Sequence, residues 1–549
     1  MFGLFFKTFF IFSTIFCWHS TAVKAQFYTE ADSLRGTLSP LRTCYDVKHY
    51  DLNLDIDFNN QFIKGYNQIS YQTVIGFNML QLDLFASMQV DSIVHKGRQL
   101  QFNRKHNAVF VDFGEMQEGG IRDTIRAYFS GNPKVAVNPP WDGGFVWRKD
   151  SKGRAWLGVS CEGIGASLWW INKDHLSDEP DSMRIVTTVP KELMSVSNGQ
   201  LRSVQKQKKK MTYEWVVTYP INNYNVTLNV AHYKQFSDTF TYQDGEKLAL
   251  DYYVLDYNLD KAKIQFKEVA TTLKVMEKYL DKYPFHNDGY ALVETFYLGM
   301  EHQGAIAYGN NYMKGYRGMH PYGIPFDYII MHETAHEWWG NSVTCNDHAE
   351  LWIHETFTTY MEAVYTEEVY GYKDAERYLK QQFDYIANSQ PMIGPKGVNY
   401  NKHNSDIYYK GSMMLHTLRY SVENDSLWWG IVKGFYNQYK IKNANSEDFI
   451  NYVNAATGQD YSLFFQQYLY KSKLPVIQYK IKTKNDKTEL SARLKSEVKN
   501  LSFKIKIETS EGAKYLLIND SEWSSLSVTA SKAAGIKIGL GLYNLEPMN

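Results

Sequence analysis

The spacing of apolar residues changes twice along this 549-residue chain, and that limits the fold more than any single residue does. From Tyr45 to about Asp238 apolar and polar positions alternate. Tyr50, Leu52, Leu54 and Ile56 take one face of a strand, and His49, Asp51, Asn53, Asp55 and Asp57 take the other. Similar runs, Tyr213 to Thr218 and Val226 to Tyr233, are separated by Gly, Asn and Pro turns. From about Tyr253 to Leu474 the spacing becomes helical, as in Ile264 to Leu280 and Asp448 to Ala455. Alternation returns after Pro475 with Ile477, Tyr479 and Ile481. No long internal repeat interrupts this plan. The expectation is a multidomain α+β protein: a β part over 26–240, a mainly helical part over 241–474 and a small β module over 475–549.

The first 25 residues stand outside that plan. Lys7 gives a positive flank, Thr8 to Trp18 is mostly Phe, Ile and Thr, and Val23-Lys24-Ala25 offers a cleavage site before Gln26. This is the pattern of a secretory leader, too short for a membrane span, so export to a periplasmic or extracellular space is expected. The chain carries 59 basic and 59 acidic side chains, and loss of Lys7 and Lys24 leaves a net charge of −2. Such a balance provides no electrostatic footprint for nucleic acid or an anionic membrane. Lys206, Lys208, Lys209 and Lys210 read as a solvated hairpin tip. Beyond Cys17 in the leader, Cys44, Cys161 and Cys345 are too few and too scattered for a disulfide framework; one bridge or three free thiols are both open.

The chemistry lies in the helical part. His332-Glu333-Thr334-Ala335-His336 follows the apolar Tyr328-Ile329-Ile330-Met331 and stops near Gly340-Asn341. Residues four apart share a helix face, so His332 and His336 are placed to hold one metal ion with Glu333 beside it as a base. Eighteen residues separate His336 from Glu355, which sits in Leu351-Trp352-Ile353-His354-Glu355-Thr356-Phe357 at the start of a second helical run to Gly371. Two facing helices would complete a His₂Glu donor set with one coordination position open, the arrangement of a catalytic rather than a structural zinc. His302, His348, His354, His403 and His416 read as non-ligands.

This motif and spacing resemble the aminopeptidase N and leukotriene hydrolase family of gluzincin metallopeptidases. Tyr297-Leu298-Gly299-Met300-Glu301-His302 is similar to that family's G-x-M-E-N motif, with His302 in place of the asparagine and Leu298-Gly299 in place of its Gly-x pair. Tyr408-Tyr409-Lys410-Gly411 matches its Y-x-K-G motif, and Asp178-Glu179-Pro180 and Ser197-Asn198-Gly199 resemble landmarks of its amino-terminal β domain. The resemblance implies a β saddle, a thermolysin-like catalytic domain and a short C-terminal β-sandwich, without the large helical domain with which relatives usually continue.

It also implies roles. One zinc per chain is held by His332, His336 and Glu355, Glu333 is the general base and Tyr408 the oxyanion donor. Glu301, with Gly299 and Met300, binds the substrate amine, and Glu162 lies where relatives help hold that amine. The implied activity is removal of the first residue from peptides with a free amino terminus. A catalytically silent peptide-binding relative would have lost a ligand, Glu333 or Tyr408, and none is lost; an endopeptidase or epoxide hydrolase on the same scaffold is the other alternative. Nothing in the sequence speaks to oligomeric state or to the preferred first side chain.

Overall fold

The computed structural model describes residues 28–320, 323–485, 487–529 and 535–548. The leader expected over 1–25, with Cys17, lies outside the described residues. The long alternating run forms a strand over Tyr45–Asp57, whose Tyr50, Leu52, Leu54 and Ile56 are buried while the intervening polar residues stay half-exposed. It sits inside an eight-stranded sheet, parallel to Ser182–Pro190 and antiparallel to Phe62–Thr73. The lysine cluster falls at the hairpin between Gln200–Lys206 and Lys210–Val217, where Lys210 pairs with Asp55 at 2.5 Å. Within Val226 to Tyr233 only Asn229–Ala231 is a strand before Tyr233–Thr241 begins; Asn229–Ala231 joins Ala155–Ser160 and Gly144–Lys149 in a four-stranded sheet.

The middle of the chain is not purely helical. A five-stranded sheet runs through it in the order Tyr233–Thr241, Lys247–Leu255, Tyr290–Glu294, Ile306–Tyr308, Gly299–Met300. Its first strand crosses position 240 and pairs with Lys247–Leu255 along its whole length, so the sheet under the helices starts in the segment read as the β part. The helix expected over Ile264 to Leu280 is two helices, Leu259–Gln265 and Glu268–Tyr279, broken at Phe266 and Lys267. Phe266 turns into an aromatic cluster with Tyr252, Tyr308 and Tyr312 instead of continuing the spiral.

Three helices carry the chemistry: α1 (Tyr328–Ala335), α2 (Trp352–Tyr370) and α3 (Tyr409–Val422). α2 is buried over most of its length and ends at Gly371, whose φ of 99° suits glycine alone. After the helix Ser462–Tyr470 the chain forms two further sheets, one of four strands and one of three. They meet α3 through Lys504 N–H to Ser421 Oγ (3.1 Å) and Leu542 N–H to Thr417 Oγ1 (2.8 Å). Cys44, Cys161 and Cys345 are buried and free, which decides between the two cysteine readings. No helix among the described residues is long and apolar enough to cross a membrane.

Candidate active site

α1 starts where Asp327 fixes it. The Asp327 carboxylate accepts the N–H groups of Ile329 (3.1 Å) and Ile330 (3.2 Å) and the side chains of Gln265, Tyr308 and Asn310. This buried cap sets the phase of the helix, and with it the face on which His332 and His336 project. Their Nε2 atoms are 3.2 Å apart and lie 3.5 and 3.4 Å from Glu355 Oε2 on α2. Three donors each 2.0–2.1 Å from a tetrahedral ion are separated by about 3.3 Å, so the triangle already has the dimensions of a zinc face.

The other imidazole nitrogens fix the orientation of the rings. His332 Nδ1 is 2.7 Å from Glu362 Oε1, and His336 Nδ1 is 2.9 Å from the Trp339 carbonyl. Both partners are acceptors, which leaves each Nε2 lone pair aimed into the triangle. Glu355 Oε2 is buried without a hydrogen-bond partner among the described residues, an expensive state unless a cation sits beside it. Burial opposes its charge, yet His336 and His332 outweigh burial and hold Glu355 below the usual carboxylate range. Burial likewise opposes charge on His332, but Glu355 and Glu362 pull it above its ordinary range, so a proton competes with a metal ion for its Nε2. The pocket calls for positive charge, and the donor set fits a divalent metal.

Glu333 lies one residue along α1 and faces the same cavity, of about 750 Å³. Burial pushes its carboxyl up to about 8. Gly299 makes room for it: a Cβ there would lie 2.3 Å from Glu333 Oε1. Beyond Gly299 and Met300, Glu301 is buried with Oε1 unpartnered, and Asn341 Nδ2 holds its backbone carbonyl at 2.8 Å. Glu162 also has an unpartnered buried oxygen, and carboxylate oxygens of Glu162, Glu301 and Glu355 lie within 4.8 Å of one another. Burial raises Glu301, and burial together with the charge of Glu301 raises Glu162 well above the carboxylate range. The loop bearing Glu162 is pinned from the amino-terminal segment, where Arg35 donates to the Gly163 carbonyl (2.8 Å) and pairs with Asp174.

Tyr408 precedes α3 and lines the cavity, its ring stacked at 6.1 Å on His332. Burial, then the charge of Glu355, pushes its phenol well above the ordinary range. The rest of its motif is mechanical. A Cβ on Gly411 would lie 1.7 Å from Thr356 Oγ1, so only glycine lets α3 approach α2. Thr356, next to Glu355, donates to the carbonyl of Ile407, next to Tyr408, at 2.6 Å. Lys410 Nζ donates to the carbonyls of Lys471 (2.8 Å) and Ser472 (3.1 Å), tying α3 to the turn that follows the helix Ser462–Tyr470.

The histidines read as non-ligands stay out of the triangle. His354 Nε2 accepts the Cys345 N–H at 2.8 Å, and His403 Nε2 is 2.6 Å from the His348 carbonyl. His302 and His416 are buried elsewhere, and burial lowers each to about 3. Three contributors had no sequence reading: Asp327 as the cap, Glu362 behind His332, and Glu337, which accepts Gly304 N–H (2.9 Å) and Tyr283 O–H (3.2 Å) below the Glu301 turn. Glu362 stands seven residues after Glu355, two helical turns along the same face, and that spacing was the available signal.

A helix-borne His₂Glu triangle with a neighbouring glutamate on a sheet-and-helix scaffold resembles the zinc centre of gluzincin metallopeptidases. Residues 264–468 match the peptidase family M1 domain. The chain is 22% identical over 455 residues to probable aminopeptidase 2 of Sulfurisphaera tokodaii, covering 79% of this chain and 55% of that protein. To leucyl aminopeptidase of Saccharolobus solfataricus it is 21% identical over 456 residues, covering 80% and 55%. The chain thus spans about half the length of the curated relatives it matches. A solved M1 zinc metallopeptidase mutant from Deinococcus radiodurans, bound to a Tyr-Ser-Ala substrate, shares the fold with a TM-score of 0.67 at 18% identity, over 79% of this chain and 96% of that one.

Proposed function

We propose that this chain is a zinc aminopeptidase that hydrolyses the first peptide bond of substrates with a free amino terminus, using one zinc per chain held by His332, His336 and Glu355. The observation that carries the reading is the convergence of Glu162 and Glu301, each with an unpartnered buried oxygen, on the edge of the metal triangle. Such a site needs a second cation besides the metal, and the α-ammonium of a peptide supplies it. An internal peptide bond brings no such charge, so the arrangement favours cleavage at the end of the chain. The relatives named aminopeptidases and the structure holding Tyr-Ser-Ala support the substrate class.

Bound zinc supplies Lewis acidity that activates water and polarises the scissile carbonyl. Glu333, raised by burial and held in the space left by Gly299, takes the proton of the attacking water and returns it to the departing nitrogen. Tyr408, kept protonated by its raised pKa, donates to the carbonyl oxygen as negative charge grows there, a contribution of about 2.7–4 kcal/mol in comparable sites. Glu301 and Glu162 hold the ammonium, and Gly299 and Met300 line the cleft between ammonium and base. The β-saddle, thermolysin-like and β-sandwich division expected over 26–240, 241–474 and 475–549 belongs to the same reading, with the strand Tyr233–Thr241 assigned to the second part because it pairs with Lys247–Leu255.

The test is turnover of aminoacyl reporters that falls with metal chelation, returns with zinc and is lost in Glu333→Gln. A silent peptide-binding protein would give none of the three. We also propose export through the leader over 1–25; intact-mass measurement of protein secreted by an export-competent host should find Gln26 as the first residue, and a chain retaining Met1 would contradict it.

A further inference from the structure

A second hollow, of about 600 Å³, opens beside the catalytic cleft. Trp141, Leu298 and Tyr316 line both, so the two adjoin. Their electrostatics are opposite. The cleft gathers Glu162, Glu301, Glu333 and Glu355, whereas the hollow is lined by Arg148, Lys149 and Arg317 and, among the described residues, by no Asp or Glu. Arg148 and Lys149 are exposed at the end of the strand Gly144–Lys149 and form no ion pair among the described residues. Arg317 donates to the carbonyls of Gly309 (3.2 Å) and Phe296 (3.1 Å), which orient its guanidinium without neutralising it.

Resting on the aminopeptidase reading, we propose that this hollow binds a carboxylate carried by the downstream part of the peptide substrate. The short strand Gly299–Met300 lines the cleft between Glu301 and Leu298, and Leu298, in the bend before it, also lines the hollow. In the proposed binding mode a peptide of three or four residues, rising about 3.3 Å per residue, has its ammonium at Glu301 and its far end in the hollow. A short peptide is a zwitterion, negative at the end remote from the ammonium, and the two cavities match that polarity. Trp141, 69% exposed at the junction, gives intervening side chains an apolar wall. The carboxylate is either the peptide's own terminus or an Asp or Glu side chain, and the chemistry recognised is the same.

The experiment compares the zinc-loaded native protein on Leu-Ala-Ala, Leu-Ala-Ala-amide and Leu-Ala-Asp-amide. The free acid should show a KM about three- to tenfold below that of the amide at low salt with little change in kcat, as expected for exposed cations acting on bound substrate. The difference should shrink as ionic strength rises. Rescue by Leu-Ala-Asp-amide would show that a side-chain carboxylate serves as well as the terminus, and absence of rescue would assign the hollow to the terminus alone. Arg148→Ala combined with Lys149→Ala should erase the acid–amide difference, and Arg317→Gln should reduce it, whereas remote Lys247→Ala should leave it intact. Equal KM values for acid and amide, or a difference that survives in the Arg148/Lys149 variant, would overturn the proposal. Failure of the underlying reading looks different: the native protein would not turn over a carboxylate-free leucyl reporter, while calorimetric binding of Leu-Ala-Ala against its amide would still report on the hollow.

Discussion

Removing the carboxylate behind His332 should weaken zinc binding without touching a ligand. Glu362 is 1% exposed, and its Oε1 lies 2.7 Å from His332 Nδ1 while Tyr378 donates to Oε2. The carboxylate makes the imidazole a better donor and fixes its rotation, and losing such a partner costs about 10- to 100-fold in metal affinity. That corresponds to about 1.4–2.7 kcal/mol. Glu362→Gln keeps an acceptor for the Nδ1–H but drops the charge, so it belongs near the lower figure. Glu362→Leu removes both and leaves the Tyr378 hydroxyl without that partner, so it belongs near the upper. Competition against a chelator of known zinc affinity measures the change, with the thermal midpoint of the metal-free protein reporting any loss of fold. A Glu362→Leu protein with native midpoint and native zinc affinity would refute the reasoning.

Glu333→Gln should retain about one zinc per chain by metal analysis yet lose turnover, because the proton acceptor goes while the donor triangle stays. Tyr408→Phe should lower kcat by roughly 100-fold or more with a small change in KM, as steady-state kinetics on one reporter would show. Gly411→Ala drives a methyl against Thr356 Oγ1, and a cost of about 1–3 kcal/mol should appear as a lower thermal midpoint together with reduced kcat, since the Thr356–Ile407 hydrogen bond places Tyr408. Burial holds His302 and His416 neutral, with pKa values of about 3 against 6.5 in the unfolded chain. Their contribution is fully present above pH 6.5 and is lost as pH falls towards 3, at up to about 1.4 kcal/mol per pH unit for each residue. Denaturation midpoints should therefore drop on acidification below pH 6.5, and His416→Phe should flatten that slope.

Where the sequence was legible, one local rule governed the structure. The alternation around Leu52 became a strand with one buried face, and the run ending at Gly371 became α2, because period and cap chemistry act within a few residues. His332, His336 and Glu355 could be brought together on paper because helix geometry fixes the first pair and the second helix returns beside it. The five-stranded sheet escaped because Tyr290–Glu294 is buried at every position, so it has no alternation to see. The helix break at Phe266 answers to tyrosines far along the chain rather than to any local breaker. Asp327 and Glu362 were missed for a related reason, since a buried carboxylate announces itself only through partners that the fold supplies. The hollow lined by Arg148, Lys149 and Arg317 joins segments more than 160 residues apart, which no window along the sequence displays.

The central claim is that an ammonium at Glu301 and Glu162 selects the bond to be cut. It is tested by the rates at which the zinc-loaded protein cleaves one peptide with a free amino terminus and the same peptide acetylated there. Acetylation removes the charge and places bulk against the two carboxylates, so the rate should fall by orders of magnitude, with any residual cleavage still at the first bond. Equal rates, or internal cleavage of the acetylated peptide at the rate of the free one, would contradict the account and make the protein an endopeptidase.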